Sequence, residues 1–266
     1  MTRILTGITF GLVMISGILY SYQSLVILFA LIVFLMTMEY LGLFKMSLAV
    51  RIGYAVFAAA ALLVIAFKNF FPQSPIILTV VVLTMVSLSV RELYVLKEKS
   101  LLFKLPGTFG VLYIFLPFFL LAMIAEHPYL GAQYVMLLFV IVWSSDSLAY
   151  FTGKYLGKNK MWPSISPKKT IEGLVGGIVG AVLIALLFSH FTMDAGASWQ
   201  VAVLAAITAL FTTTGDLVES KLKRNLQIKD SGNMLPGHGG ILDRFDGVLL
   251  AAPIYFLSIL FLVYIS

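Results

Sequence analysis

Apolar residues fill the chain in long runs that short polar segments separate. Nine runs have about the 20 residues that a helix needs to cross the hydrocarbon core of a bilayer. Their approximate bounds are 4–21, 24–41, 48–67, 75–90, 106–125, 131–151, 171–189, 199–222 and 244–264. Backbone groups in lipid must be paired within the segment, and the runs lack the alternating polarity of barrel strands. The pattern therefore predicts an all-α polytopic membrane protein with about nine transmembrane helices.

Composition supports this class. Of the 266 residues, 61% are hydrophobic and 11% are charged, and the mean hydropathy of +1.02 lies far above that of soluble domains. The absence of cysteine excludes disulfides and thiolate catalysis. Because we find no linker or soluble domain, we expect a single integral membrane domain over 1–266. It divides into amino-terminal helices in 1–130 and a second set of helices in 131–266, with polar loops at 152–170 and 223–243.

The basic residues predict the orientation of these helices. If the amino terminus is cytoplasmic, seventeen of the eighteen Lys and Arg residues fall on the cytoplasmic side, and only Lys68 falls outside. Both polar loops are then cytoplasmic and the carboxyl terminus lies outside. The net charge of +6 is explained by topology, so we expect no nucleic-acid partner.

The first apolar run begins with Arg3 and resembles a secretory signal peptide. We find no convincing small-residue cleavage site in it, and further apolar runs follow. We therefore interpret the run as an uncleaved first helix.

Six carboxylates of the second half lie near the predicted cytoplasmic ends of the helices. They are Asp146, Glu172, Asp216, Glu219, Asp243 and Asp246. A charge near the bilayer centre costs roughly 2.5–3.5 kcal/mol on insertion scales. Six such carboxylates in one half of the chain therefore indicate a functional role. Helical spacing places one set on a common face: Asp216, Glu219, Ser220 and Lys223. Asp243 and Asp246 share another face. The pattern predicts a polar cavity cut into the cytoplasmic leaflet.

The residue types around this cavity indicate a chemistry. Mg²⁺ is bound in proteins by one or two carboxylates, and substrate phosphates complete its shell. Lys and Arg neutralise phosphates and the charge of a leaving pyrophosphate. The glycine-rich turn "GHGG", residues 237–240, lets backbone amides approach an anion. Together these features favour metal-assisted phosphoryl or nucleotidyl transfer at the membrane surface.

The segment 220–246, "SKLKRNLQIKDSGNMLPGHGGILDRFD", which we call the signature segment, resembles the phosphatidate cytidylyltransferases, also called CDP-diacylglycerol synthases. The residues that match the family pattern are Ser220, Lys223, Arg224, Lys229, Asp230, Gly232, Pro236, His238, Gly239, Gly240, Asp243, Arg244 and Asp246. Upstream, "DSLAYFTGKYLGK" from Asp146 and "ISPKKTIEG" from Ile165 also resemble family segments. The resemblance covers roughly 146–247, and the first five runs match only in being hydrophobic.

The resemblance implies transfer of CMP from CTP to phosphatidic acid, which yields CDP-diacylglycerol and pyrophosphate. It also implies dependence on Mg²⁺, with room for a second cation, a nine-helix architecture and a homodimer. The helices in 131–266 are then the catalytic ones, and we expect an integral protein of the bacterial inner membrane with its active site facing the cytoplasm. Asp216 and Asp243 correspond to the family's metal-binding carboxylates. The full catalytic set is Asp216, Asp243, Lys223, Arg224, Asp246 and His238. The substrate-binding set is Asp146, Ser166, Lys168, Lys169, Glu172, Ser220, Lys229, Asp230, Gly239, Gly240 and Arg244.

Several assignments stay open at this point. Glu172 follows a potential Thr170 cap and could simply complement the helix dipole. His238 could bind phosphate, shuttle a proton or only shape a turn. Four glycines in the seventh run favour helix packing over chemistry; they are Gly173, Gly176, Gly177 and Gly180.

Two other functions are compatible with parts of the pattern. A CTP-dependent polyprenol or phytol kinase would transfer phosphate instead of CMP, so the mass of the product separates it from the first interpretation. A cation-coupled transporter would need charges along a route through the membrane. Here the six carboxylates of the second half named above lie on one predicted side, which disfavours transport.

Overall fold

The computed structural model describes residues 2–68, 74–193, 199–234 and 239–265. The chain is built of helices with one small hairpin. The helices are α1 Thr2–Tyr20, α2 Tyr22–Leu43, α3 Leu48–Phe67, α4 Pro75–Arg91, α5 Leu101–Lys104, α6 Val111–Ala125, α7 Gly131–Tyr155, α8 Ile171–Thr192, α9 Trp199–Asn225 and α10 Leu242–Ile265. A 3-10 turn, Lys97–Lys99, precedes α5, and a π turn, Pro106–Gly110, leads into α6. Strands β1, Lys160–Trp162, and β2, Ser166–Thr170, pair antiparallel.

Each of the nine predicted runs forms one of these helices, so the helical membrane class is confirmed. Seven described helical segments are long and apolar enough to cross a membrane: Tyr22–Leu43, Leu48–Phe67, Pro106–Ala125, Gly131–Tyr155, Ile171–Thr192, Trp199–Asn225 and Leu242–Leu262. Two further apolar helices, Thr6–Tyr20 and Pro75–Arg91, are shorter. The predicted positions of the runs therefore hold, whereas the number of helices that span a bilayer stays a prediction.

The polar loops differ from the expectation. In the 152–170 segment, α7 continues to Tyr155 and the hairpin of β1 and β2 follows. Its turn is closed by a hydrogen bond from the Ile165 amide to the Trp162 carbonyl, with Pro163 at the position that turns favour. In the 223–243 segment, α10 begins at Leu242, so Asp243 lies in the first turn of a helix.

Side-chain caps set the start of several helices. Ser21, Ser47, Ser74 and Thr170 each accept a hydrogen bond from the backbone amide three residues further on. These bonds satisfy amides that have no partner within the helix. The Thr170 cap was anticipated, and it joins β2 directly to α8.

The core surrounds α6, which packs against α2, α3, α7 and α10. Most of its residues are buried, including Phe118. Phe118 meets Phe29 of α2 and Phe245 of α10 edge to face, with ring centroids 5.4 and 5.5 Å apart. Phe139 of α7 also contacts the Phe245 ring. Phe245 lies between Asp243 and Asp246, so aromatic packing fixes the start of α10 that carries these acids.

Glycines bring α7 and α8 into close contact. A Cβ at Gly177 would lie 2.8 Å from the Ser145 carbonyl oxygen, and one at Gly173 would lie 2.8 Å from the Ala149 carbonyl oxygen. Similar crowding against α7 occurs at Gly176 and Gly180. The packing interpretation of these glycines is confirmed, because no side chain fits between the two helices.

We expect Gly177→Ala to destabilise the protein by about 1–3 kcal/mol, because the added methyl overpacks the contact of α7 with α8. Gly53→Ala on α3 is the matched control, since nothing lies within 4 Å of a Cβ at Gly53. Thermal unfolding of both variants in detergent measures the difference. Equal midpoints for the two variants would contradict the close-packing interpretation.

Candidate functional site

A cavity of about 670 Å³ opens between α7, the hairpin, α8 and α9. This volume is in the usual range for small-molecule sites. Its polar lining combines two acids with four lysines. They are Asp146, Asp216, Lys154, Lys160, Lys168 and Lys169. We call it the larger cavity.

The pair of Lys169 and Asp216 crosses this cavity from β2 to α9. Lys169 Nζ lies 2.6 Å from Asp216 Oδ2, and Ser220 Oγ donates to Asp216 Oδ1 at 3.0 Å. Lys169 also donates to the Thr213 carbonyl at 3.4 Å. Both side chains of the ion pair keep about a quarter of their surface exposed. An incoming ligand can therefore reach the lysine and the carboxylate.

A second cluster is centred on Lys223 and is more deeply buried. Lys223 Nζ lies 2.5 Å from Glu219 Oε2 and 2.8 Å from Asp243 Oδ1. The exposed fractions of the side chains are 13% for Lys223, 1% for Glu219 and 7% for Asp243. One lysine of α9 thus compensates an acid on its own helix and an acid on α10.

Asp243 also organises the chain that returns into α10. Its Oδ2 accepts hydrogen bonds from the amides of Ser231 and Gly240 at 3.0 and 2.8 Å. Gly239 has a positive φ of 81°, which disfavours other residues, and a Cβ there would lie 2.8 Å from Asp243 Oδ2. Together with Lys223, these amides occupy both oxygens of the Asp243 carboxylate.

Close packing of α9 on α10 brings a further acid into the group. A Cβ at Gly215 would lie 2.6 Å from the Asp246 carbonyl oxygen, so the two backbones touch beside Asp216. The Asp246 carboxyl group lies within electrostatic range of three other acids: Asp146, Asp216 and Glu219. The helical faces predicted for α9 and α10 therefore meet, as expected.

A smaller cavity of about 230 Å³ lies on the other side of these acids, between α1, α7 and α10. Its lining is Thr6, Gly7, Phe10, Val142, Trp143, Asp146, Asp243, Arg244, Asp246 and Gly247. Asp146 lines both cavities. Of the two predicted metal ligands, Asp216 lines the larger cavity and Asp243 lines the smaller one.

The donor set suits a hard cation. Lys169 and Lys223 form ion pairs with three members of a group of five carboxylates. The group comprises Asp146, Asp216, Glu219, Asp243 and Asp246. No three acids or histidines among the described residues form a complete metal site. Mg²⁺ needs only one or two carboxylates when phosphates supply the rest, so the residues fit this metal.

The family of this chain can be identified from almost its whole length. The profile of the cytidylyltransferase family matches residues 1–262. This chain belongs to the cytidylyltransferase family.

Relatives in this family carry a more specific name. The phosphatidate cytidylyltransferase of Bacillus subtilis is 46% identical over 155 residues, which are 58% of this chain and 58% of the relative. The phosphatidate cytidylyltransferases of Staphylococcus saprophyticus and Staphylococcus aureus are 44% and 46% identical over 124 residues. Those matches cover 47% of this chain and 48% of each relative. The matched segments thus span about half of each relative's length.

The structure places eight of the candidate residues of this cytidylyltransferase-family chain on the two cavities. The larger cavity takes Asp146, Ser166, Lys168, Lys169 and Asp216, and the smaller one takes Asp146, Asp243, Arg244 and Asp246. Four further candidates lie behind these acids, and each bonds to one of the carboxylates or packs closely against it. They are Ser220, Lys223, Gly239 and Gly240.

The remaining candidates are placed elsewhere. Glu172 accepts hydrogen bonds from the amides of Lys158 and Asn159 and lines neither cavity, so it holds the turn after α7. Arg224 Nε donates to the Ile165 carbonyl at 3.2 Å and ties α9 to the hairpin. Lys229 and Asp230 are exposed away from both cavities, and His238 lies outside the described residues.

One acid near the site was missed from sequence. Glu39 of α2 is buried and accepts hydrogen bonds from the signature segment. A single carboxylate inside an apolar run indicates a functional role in a membrane protein, so Glu39 could have been noticed from the sequence. Its partners lie about 200 residues away, so the run alone could not identify them.

We expect Lys223→Met to destabilise the protein by about 3–5 kcal/mol, because Glu219 and Asp243 would remain buried without their cation. Unfolding in detergent measures the loss. Lys221→Met is the control, since Lys221 bonds only weakly to the Leu93 carbonyl, at 3.4 Å. Adding Glu219→Gln to Lys223→Met should recover part of the stability. Equal losses for the two lysine variants would argue against the compensation.

Proposed function

We propose that this chain is a phosphatidate cytidylyltransferase, which transfers CMP from CTP to phosphatidic acid and forms CDP-diacylglycerol and pyrophosphate. The observation that carries the proposal is the larger cavity, in which the pair of Lys169 and Asp216 faces three more lysines. Membership of the cytidylyltransferase family supports it, as do the names of the relatives.

The triphosphate of CTP fits the larger cavity by charge. Lys154, Lys160 and Lys168 line its wall with Lys169, and all four can neutralise phosphate oxygens. If a cation binds the Asp216 carboxylate, Lys169 would no longer be needed as its partner and could bind phosphate. The nucleotide therefore reaches the acids from the hairpin side.

Phosphatidic acid fits the smaller cavity by its mixed lining. Phe10, Val142 and Trp143 offer apolar surface from α1 and α7, while Arg244 offers a cation for the lipid phosphate. The acyl chains remain in the bilayer, where the outer faces of the helices are apolar. Asp146, which lines both cavities, then lies between the two substrates.

The reaction needs no protein nucleophile. An oxygen of the lipid phosphate forms a bond to the α-phosphorus of CTP, and the bond from that phosphorus to the bridging oxygen of the β-phosphate breaks. The electron pair and the negative charge leave with pyrophosphate. The lysines of the larger cavity hold the leaving group in line with the attacking oxygen, and their charge stabilises it.

We propose Mg²⁺ as the cofactor, held by Asp216 and Asp243. When bound, it would neutralise phosphate charge and polarise the α-phosphoryl group. Asp216 is open to the larger cavity, whereas Asp243 would have to exchange one of its present donors for the metal. Asp146 lines both cavities beside this position, and Asp246 lines the smaller one.

The setting in the cell is also part of the proposal. The distribution of Lys and Arg supports a bacterial inner-membrane protein whose site faces the cytoplasm. CTP is then available directly from the cytoplasm. A homodimer is implied by the family resemblance and stays a prediction.

We expect Asp216→Asn to lower kcat by about 100-fold or more, since a neutral amide cannot replace the carboxylate at the reacting phosphates. The measurement is the yield of labelled CDP-diacylglycerol from labelled CTP, phosphatidic acid and Mg²⁺ with protein in detergent. Glu92→Gln is the control. Glu92 is a buried carboxylate directly after α4 that lines neither cavity.

The product identifies the reaction. A lipid heavier by CMP supports the proposal, whereas a phosphorylated polyprenol or phytol would establish the kinase. Full activity of Asp216→Asn would rule out its assignment as a metal ligand, even if the chain makes CDP-diacylglycerol.

A further inference from the structure

Glu39 forms a junction between α2 and the signature segment. It lies in the last turns of α2 and is 5% exposed. Its Oε2 accepts a hydrogen bond from the Ile241 amide at 2.9 Å, and its Oε1 accepts one from the Leu242 amide at 3.0 Å. The Ser231 hydroxyl donates a short hydrogen bond to Oε1. One side chain thus takes three donors from a segment about 200 residues away.

The two amides are those at which α10 begins. Helix amides at this position have no acceptor within their own helix and need one from elsewhere. A carboxylate is a favourable acceptor there, because it also meets the positive end of the helix dipole. Glu39 therefore caps α10 from a different helix, whereas Ser21 and Thr170 cap the helices that directly follow them.

The backbone folds tightly around this carboxylate. A Cβ at Gly232 would lie 2.7 Å from Glu39 Oε2, and a Cβ at Gly240 would collide with Glu39 Oε1 and the Ser231 hydroxyl. The glycines at 232 and 240 in the signature segment thus leave room for the side chain of Glu39. An anion-binding role of the Gly240 backbone is not needed to explain this glycine.

Glu39 and Asp243 hold the same two pieces of chain. Ser231 donates its hydroxyl to Glu39 and its amide to Asp243. Gly240 donates its amide to Asp243, and the next two amides go to Glu39. Asp243 in turn bonds to Lys223 at 2.8 Å. The position of this acid and lysine is therefore coupled to Glu39 through Ser231 and the start of α10.

We propose that Glu39 is a positioning residue for the reaction: by capping α10 and holding Ser231, it sets the location of Asp243 and Lys223. It contacts neither cavity itself, so it acts through those residues. The kinetic part of the test rests on the proposed function, and the structural part does not.

Glu92 provides a matched control for the chemistry of Glu39. It is 3% exposed, and its carboxylate accepts a hydrogen bond from the Ser100 hydroxyl and one from the Leu101 amide at 3.0 Å. It thus caps α5 in the way that Glu39 caps α10. Replacement of either acid by Gln removes one acceptor oxygen from a buried cap, but only Glu39 adjoins the signature segment.

The first experiment compares Glu39→Gln with Glu92→Gln in the synthesis of CDP-diacylglycerol. We expect Glu39→Gln to lower kcat by about 10- to 100-fold, because small displacements of reacting groups have effects of this size. The KM for CTP should change less than about threefold, since the lysines of the larger cavity are untouched. Glu92→Gln should keep kcat within about threefold. Glu39→Asp, which retains the charge, should recover part of the loss.

The second experiment needs no activity. The chain has no cysteine, so Ile241→Cys provides a single thiol at a buried position beside the cap. We expect Glu39→Gln to increase the rate of maleimide labelling of this thiol by at least about tenfold, whereas Glu92→Gln leaves it unchanged. If the double variant with Glu39→Gln does not fold, the double variant with Glu39→Asp is compared in the same way.

The outcomes separate the two proposals. If the parent protein makes no CDP-diacylglycerol but labelling accelerates as expected, the proposed function fails and the role of Glu39 in holding the segment stands. If Glu39→Gln and Glu92→Gln lower kcat equally, or if labelling does not respond, Glu39 is not a positioning residue.

Discussion

The compensation of buried acids on α9 and α10 is the constraint on which the site depends. Charges enclosed in an apolar bundle are destabilising unless each has a partner of opposite charge. Removing one member of a buried pair leaves the other charge uncompensated and costs the full desolvation free energy. Lys223 meets this requirement for Glu219 and Asp243 at 2.5 and 2.8 Å. Lys169 of the hairpin pairs with Asp216, which is partly exposed to the larger cavity. The hairpin and two helices are thereby held around one group of charges.

Small residues make this arrangement possible, because they let helix backbones approach. Gly215 lies against the backbone of α10 beside Asp246, and Gly177 lies against α7. Short distances between helix axes bring the acids of α7, α9 and α10 together and enclose cavities on both sides of them. The same glycines that pack the bundle therefore determine how closely its charges gather.

Sequence reasoning predicted the helices well because length and hydropathy decide them within one segment. It also predicted the shared faces of Asp216 with Ser220 and of Asp243 with Asp246, which follow from helical spacing. It missed the hairpin, whose short strands have no period to detect in a polar loop. It placed Glu172 among the substrate-binding residues and could not foresee the bonds of Glu172 to the turn after α7, because tertiary folding sets them. Glu39 was missed for the same reason, since its donors come from the far end of the chain.

The junction at Glu39 bears on the expected division into helices 1–130 and 131–266. The residues that resemble the cytidylyltransferases by motif lie in 146–247, yet the family profile matches 1–262. Glu39 gives a physical reason for the wider extent: without α2, the amides of Ile241 and Leu242 would be buried with no acceptor. Phe29 of α2 also supports Phe245 through Phe118. The amino-terminal helices thus form part of the structure that holds Asp243 in place, because they supply both the cap and the packing of α10.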